Sequence, residues 1–197
     1  MLRATLSVLL TLYRTRCEVI LVLPLLKAGQ RVMSAEIESR HPMFARKASN
    51  ATVSASTTLV NDADLHVDLL PNSTYLVRAR IMYTGSSTGD ISITWGTPAG
   101  SSTGIRFDYG PSASNSNPVS GAMRSSVNNW ATVLGYGATT DATVFPAITE
   151  YGTITTGDTG GVLQLRYAQT TASGVLTVLA GSYLTVDRIE LWSKQAK

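Results

Sequence analysis

A chain of 197 residues is long enough for one sizeable core and a terminal extension. Only 15% of it is charged, and Ser, Thr, Asn and Gly supply the polar surface instead. That composition suits short strands with tight turns and argues against helices, whose exposed faces usually carry Lys and Glu. Residues 1–47 hold eight basic and three acidic residues, whereas residues 48–197 hold eight basic and ten acidic ones. The formal charge of +3 therefore belongs to the leader, and a nearly neutral body argues against a nucleic-acid partner, which calls for basic residues among aromatics on the folded face.

The first segment, residues 1–32, reads as an apolar and basic leader. Its apolar stretches, Leu6–Leu12 and Val19–Leu26, are split by Arg14, Arg16 and Glu18. Each is shorter than the roughly 20 residues that span a bilayer, so no membrane partner is expected. The charges also interrupt the apolar centre that a secretory signal needs, and no small-x-small cleavage site follows it. Met33, followed by Ser34-Ala35-Glu36, reads as an alternative start. The single cysteine, Cys17, lies in this leader, so no disulfide within the chain is available and stability must come from the core or from self-association. Residues 33–51 lack periodicity and read as an arm or linker, in which Arg40, Arg46 and Lys47 are candidate anchors to an acidic partner.

From residue 52 to 197 the signals are those of consecutive strands. Val53–Val60 is a Ser/Thr-rich strand leading to a turn at Asn61-Asp62-Ala63-Asp64. Leu65–Leu70 alternates and stops at Pro71-Asn72-Ser73. Thr74–Thr84 sets Tyr75, Val77, Ala79, Ile81 and Tyr83 on one face. After a loop at Gly85–Gly89, Ile91, Ile93 and Trp95 alternate with Ser92 and Thr94. Ile105, Phe107 and Tyr109 form a shorter strand, followed by a Gly/Ser/Asn/Pro loop from Gly110 to Gly121. Strands are expected near Trp130–Tyr136 and across Thr143–Thr155, the latter with a bulge or edge at Pro146.

Residues 162–192 read as a closing hairpin. Its first run ends at Gln169, its turn is Thr170–Gly174, and its second run starts at Val175. Ala180-Gly181-Ser182 interrupts the second run at a bulge or corner that would let one long strand serve two sheets. Eight or nine strands at this spacing predict an all-β fold, an antiparallel two-sheet sandwich of jelly-roll type. Tyr75, Ile81, Trp95, Phe107, Trp130, Leu165, Tyr167, Leu184 and Trp192 are the expected core or subunit-packing residues, because strand-borne aromatics usually serve packing.

The chain carries little that suggests chemistry. His41 and His66 have no second His or Cys at zinc-ligand spacing. Asp62, Asp64 and Asp68 lack the Gly and terminal Glu of a calcium loop, and turn formation accounts for them. No Gly-x-Ser-x-Gly elbow occurs, and no Gly-rich loop leads into a helix. Asn50-Ala51-Thr52 and Asn72-Ser73-Thr74 match the glycosylation sequon, which matters only in a secretory pathway. No enzymatic activity, metal or cofactor is expected.

Three stretches carry a resemblance. They are Ser54–Leu59 with Asp62, Asp64 and Leu65–Tyr75; Gly157–Gln169; and Ala180–Leu184 followed by Asp187-Arg188-Ile189. In that order they resemble the small β-sandwich domains of tailed-bacteriophage virion proteins, such as head-fibre, capsid-decoration and minor tail proteins, over roughly residues 47–192. The resemblance implies a non-enzymatic virion component, a homotrimer through sheet packing, whose other partner is the major capsid protein or another virion protein. The leading expectation is a capsid decoration or head-fibre protein projecting from the phage head. Its rivals are a tail-associated receptor-binding tip that touches host surface glycan through Gly110–Gly121 and an extracellular trimeric module similar to the C1q and tumour-necrosis-factor group. A carbohydrate-active enzyme with two facing carboxylates is a further one.

Overall fold

The computed structural model describes residues 41–86, 88–99, 103–112, 122–140 and 145–189. They fall within one unit, Ile37–Lys197, and the leader with Cys17 and Arg40 lies outside the described residues, as do 113–121 and Trp192. Twelve strands are described. In chain order they are β1 (Met43–Arg46), β2 (Ala51–Ser54), β3 (Val60–Leu69), β4 (Thr74–Gly85), β5 (Ile91–Gly96) and β6 (Thr103–Pro111). There follow β7 (Met123–Asn129), β8 (Leu134–Tyr136), β9 (Ala147–Thr155), β10 (Gly161–Ala168), β11 (Val175–Val178) and β12 (Tyr183–Arg188).

Two antiparallel sheets face each other. The smaller runs β3-β10-β5-β8, and the larger runs β1-β12-β4-β9-β6-β7, with β11 pairing both β2 and β4. Taken alone, β3 to β10 are eight consecutive strands. Their order is first-eighth-third-sixth in one sheet and second-seventh-fourth-fifth in the other. That is the double Greek-key winding of a jelly roll, so the all-β sandwich expected from the sequence is the observed fold. The spine of the larger sheet is β4, whose Tyr75, Val77, Ala79, Ile81 and Tyr83 point inward and are all buried. They meet Leu65, Val67 and Leu69 of β3, Ile91, Ile93 and Trp95 of β5, and Leu163, Leu165 and Tyr167 of β10 in one apolar core. Alternation at period two, read from these strands, places one side of each in that core.

Several local expectations need correction. The hairpin expected over 162–192 is not formed by its described part, 162–189: both edges of β10 are already taken by β3 and β5, so the chain crosses to the larger sheet, where β11 pairs β2 and β4. The interruption at Ala180-Gly181-Ser182 does not share one strand between sheets either. It separates β11 and β12, which continue along one edge of β4, at Tyr83–Gly85 and Tyr75–Arg80 respectively. Ser182 fills the break: its Oγ accepts the Met82 N–H at 3.0 Å and donates to the Leu179 carbonyl at 2.8 Å.

The stretch Asn61–Asp64 is a bulge inside β3, not a turn ending a strand. Here the step from Asn61 to His66 faces only the step from Gln164 to Arg166 on β10. The turn chemistry is present but sits within the ladder, as Asp62 Oδ1 accepts the N–H groups of both Asp64 and Leu65 at 3.0 Å. Upstream, β2 stops at Ser54, because Ala55 takes a left-handed φ of 43°. Residues 43–46, read as part of the arm, form β1 on the edge of β12. The strand expected from Trp130 begins only at Leu134, since Trp130 and Ala131 make a turn closed by the Thr132 N–H to Asn129 carbonyl bond. Strand β7 has no counterpart in the sequence reading, because Ser125, Ser126, Asn128 and Asn129 give it a loop-like composition.

Candidate functional site

Two neighbouring strands of the larger sheet, β6 and β7, are patterned the wrong way round, and β9 beside them is mixed, burying Glu150 between Ile148 and Ile154. On β6 the alternation Ile105-Arg106-Phe107-Asp108-Tyr109 sends Arg106 and Asp108 into the interior, both fully buried, and leaves Ile105 and Tyr109 56% and 46% exposed. Its partners follow suit. On β9 Glu150 is buried while Tyr151 is exposed, and on β7 Arg124, Ser126 and Asn128 point inward while Met123 and Val127 are exposed. A slip of one residue would return Ile105, Phe107 and Tyr109 to the core. Burying charge instead is unfavourable unless each group is paired.

The pairing is what holds the register. Arg106 Nη1 lies 3.3 Å from Glu150 Oε1, and Arg106 Nη2 donates to the Thr132 carbonyl at 2.7 Å. Trp95 Nε1 donates to Glu150 Oε2 at 2.6 Å from the opposite sheet. The two Asp108 oxygens accept the Ser126 hydroxyl at 2.7 and 2.6 Å, and Asn128 Nδ2 donates to Asp108 Oδ1 at 3.3 Å. Arg124 donates to the Gly135 carbonyl at 2.9 Å and lies over the Tyr136 ring. The Arg106 guanidinium likewise lies near the Trp130 ring, which meets Trp95 edge-on at 6.0 Å. Glycine makes room for this cluster. A Cβ on Gly152 would stand 2.2 Å from the Ile105 carbonyl oxygen, and one on Gly110 would meet the Tyr136 ring at 2.7 Å.

Burial governs the titrating groups. The Glu150 carboxyl is held above its ordinary value by burial, and Arg106 and the Trp95 hydrogen bond only partly offset it. The Tyr136 phenol is pushed far up, first by burial and then by Glu150 and Asp108. These groups are enclosed between the sheets, and they serve to fix which side of β6 faces out.

The outer face so produced is apolar and free of charge. Phe107 pairs with Tyr151 across the β6–β9 ladder with ring centroids 4.8 Å apart, and Val127 flanks Phe107 on the other side. Around them stand Ile105, Tyr109, Met123, Thr149, Thr153, Ser125 and Asn129, and no residue pointing outward from these three strands is ionisable except by its phenol. On the adjoining strand β4 the exposed Arg78 and Arg80 stand opposite Tyr151 and Thr149 and bound this face; beyond them β12 presents Asp187, and Phe44 of β1 stacks on Tyr183 at 6.1 Å. The outer side of the smaller sheet is polar by comparison, with His66, Asp68, Gln164 and Arg166.

The residues singled out in the sequence separate into three groups. Tyr75, Ile81, Trp95, Trp130, Leu165, Tyr167 and Leu184 lie in the core, whereas Phe107 lies on the outer face. Of the candidate anchors, Arg46 is exposed on β1. Lys47 is not available to an outside partner: it is 1% exposed, and its ammonium lies 2.7 Å from Asp62 Oδ2 and 3.5 Å from Asp64 Oδ2. The sequence reading missed Arg106, Asp108 and Glu150. A strand alternating apolar and charged residues signals a two-sided sheet, but only the spatial meeting of Arg106 and Glu150 reveals which side is inside.

No protein-family model matches the sequence, and no curated protein matches it. Among solved structures, the chain is similar to one described as the structure of infectious bursal disease virus, Gx strain. The identity is 10% with a TM-score of 0.18, over 81% of this chain and 44% of that one. For the Gt strain of the same virus the values are 9%, 0.19, 81% and 43%. The chain thus spans less than half the length of the solved chains it matches. The fold assignment rests on the strand order, not on these likenesses.

Proposed function

We propose that this chain is a structural, non-enzymatic protein of a bacteriophage virion, a capsid decoration or head-fibre protein whose body projects from the head. The observation that carries the reading is the jelly-roll winding of β3 to β10, an architecture used repeatedly in viral capsids. It agrees with the resemblance of residues 47–192 to small phage virion domains. A body with apolar residues facing outward on three adjacent strands also suits a protein that works inside an assembly. Its partners are further copies of itself and the major capsid protein or another virion protein. Attachment to the head falls to the segment before β1, because Lys47 is spent on Asp62 inside the body.

Immunogold labelling of intact particles from the source phage, with antibody raised against residues 48–197, tests the proposal. Label spread over the head is the expected result. Label confined to the tail tip would replace it with the receptor-binding reading, and particles without label would overturn a virion role.

A further inference from the structure

We infer that the outer face of β9, β6 and β7 is the surface through which copies of this chain bind one another. Two strands in succession, β6 and β7, direct their charged residues inward and their apolar ones outward, and β9 adds Tyr151 outside beside the buried Glu150, the pattern of strands covered on both sides. One of those coverings is the opposite sheet; the other is not supplied by the described residues.

The chemistry of the face selects a second copy as its occupant. Across a two-fold axis the same patch meets itself, so a self-pairing surface needs groups that tolerate their own kind. Ile105, Phe107, Val127 and Tyr151 satisfy that by apolar contact. The surrounding hydroxyl and amide groups satisfy it because each both donates and accepts. A fixed charge in the strip would face its own copy, and none points outward from β6, β7 or β9; the nearest, Arg78 and Arg80 of β4, border it opposite Tyr151 and Thr149. At ordinary strand spacing and rise the strip measures roughly 15 Å by 25 Å, about half of the ~800 Å² each partner gives to a standard interface. It therefore forms the apolar centre, with the polar strands beside it as rim.

The inference rests on the proposed function only in placing the chain in an assembly, and it is tested separately. Sedimentation velocity on the full chain, from about 1 to 100 μM, is compared for wild type, for the double variant Ile105→Asp/Val127→Asp, and for Val162→Asp on the other sheet. All three positions are exposed in the single chain. Wild type and Val162→Asp are expected to self-associate, and the double variant to dissociate at least tenfold more readily with an unchanged circular-dichroism spectrum. Hydroxyl-radical footprinting of wild type keeps the test independent of folding in the variant: Tyr109 and Tyr151 should become protected as concentration rises. A monomer at 100 μM, an oligomer indifferent to the double variant, or tyrosines protected only on intact particles would each overturn the inference. A self-associating chain that labels no particle would remove the virion role and leave this interface standing.

Discussion

Trp95 of the smaller sheet and Glu150 of the larger are joined by a 2.6 Å hydrogen bond from the indole N–H to carboxylate Oε2. The bond crosses the gap between the sheets at the point where an apolar core gives way to a polar one. Beside the bond, Ala79 of β4 stands opposite Glu150 and Leu165 of β10 opposite Trp95; on the other edge of β9 lie Arg106 and Asp108, with Ser126 and Asn128 beyond them. Glu150 thereby ties together β5, β6 and β9.

That position makes Glu150 a source of pH dependence. Burial raises its carboxyl above the ordinary value of 4.5, so folding favours the protonated acid. The stability tied to it is fully present below about pH 4.5 and is lost as pH rises through the folded-state value. Glu150→Gln abolishes this titration. In urea unfolding from pH 4 to 8, the difference in stability between the proteins should move in favour of the variant as pH rises. A difference that stays constant across the range would refute this account.

Lys47 and Asp62 form the second buried ion pair, 2.7 Å apart with side chains almost wholly shielded. Lys47→Met keeps the volume and strands the Asp62 carboxylate, which should lower unfolding free energy by about 3–5 kcal/mol. Adding Asp62→Asn should recover part of that loss, since an amide oxygen can still accept the Asp64 and Leu65 N–H groups. A double-mutant cycle in denaturant measures the coupling; additive effects would contradict it.

Gly152 is required by the approach of β6. Gly152→Ala places a methyl group 2.2 Å from the Ile105 carbonyl oxygen and 2.7 Å from the Arg106 Cα, both backbone atoms with no room to yield. The strands must part, at a cost of about 1–3 kcal/mol or more. Gly135→Ala is the control, because its Cβ would meet nothing nearer than 3.5 Å. Thermal melts of the two variants should differ clearly, the first falling by several degrees more.

Ser182 is fully buried and closes the break between β11 and β12. Ser182→Ala leaves the Met82 N–H without the 3.0 Å acceptor it has now, costing about 1–3 kcal/mol. Hydrogen exchange at the Met82 amide should accelerate more than at Ile81 or Tyr83. Unchanged exchange there would show that another group takes over.

The all-β class, the sandwich and the central strands were legible in the sequence for a simple reason. β3, β4, β5 and β10 bury one face in an apolar core, and period-two alternation records that burial along the chain. Pro71-Asn72-Ser73 and the glycines near 157–161 mark their ends, because turn geometry is a local property. Pairing is not local. The sequence of β10 and β11 looks like a hairpin, and only the occupation of both β10 edges by β3 and β5 sends β11 to the other sheet. Lys47 reads as a tail cation until β1 docks on β12 and sets it beside Asp62. For β6 the alternation itself was visible, but alternation has two solutions that differ by one residue. Arg106 and Trp95 lie on successive strands of opposite sheets and Glu150 on the distant β9, and their meeting decides that the charged side is the inside and Phe107 faces out.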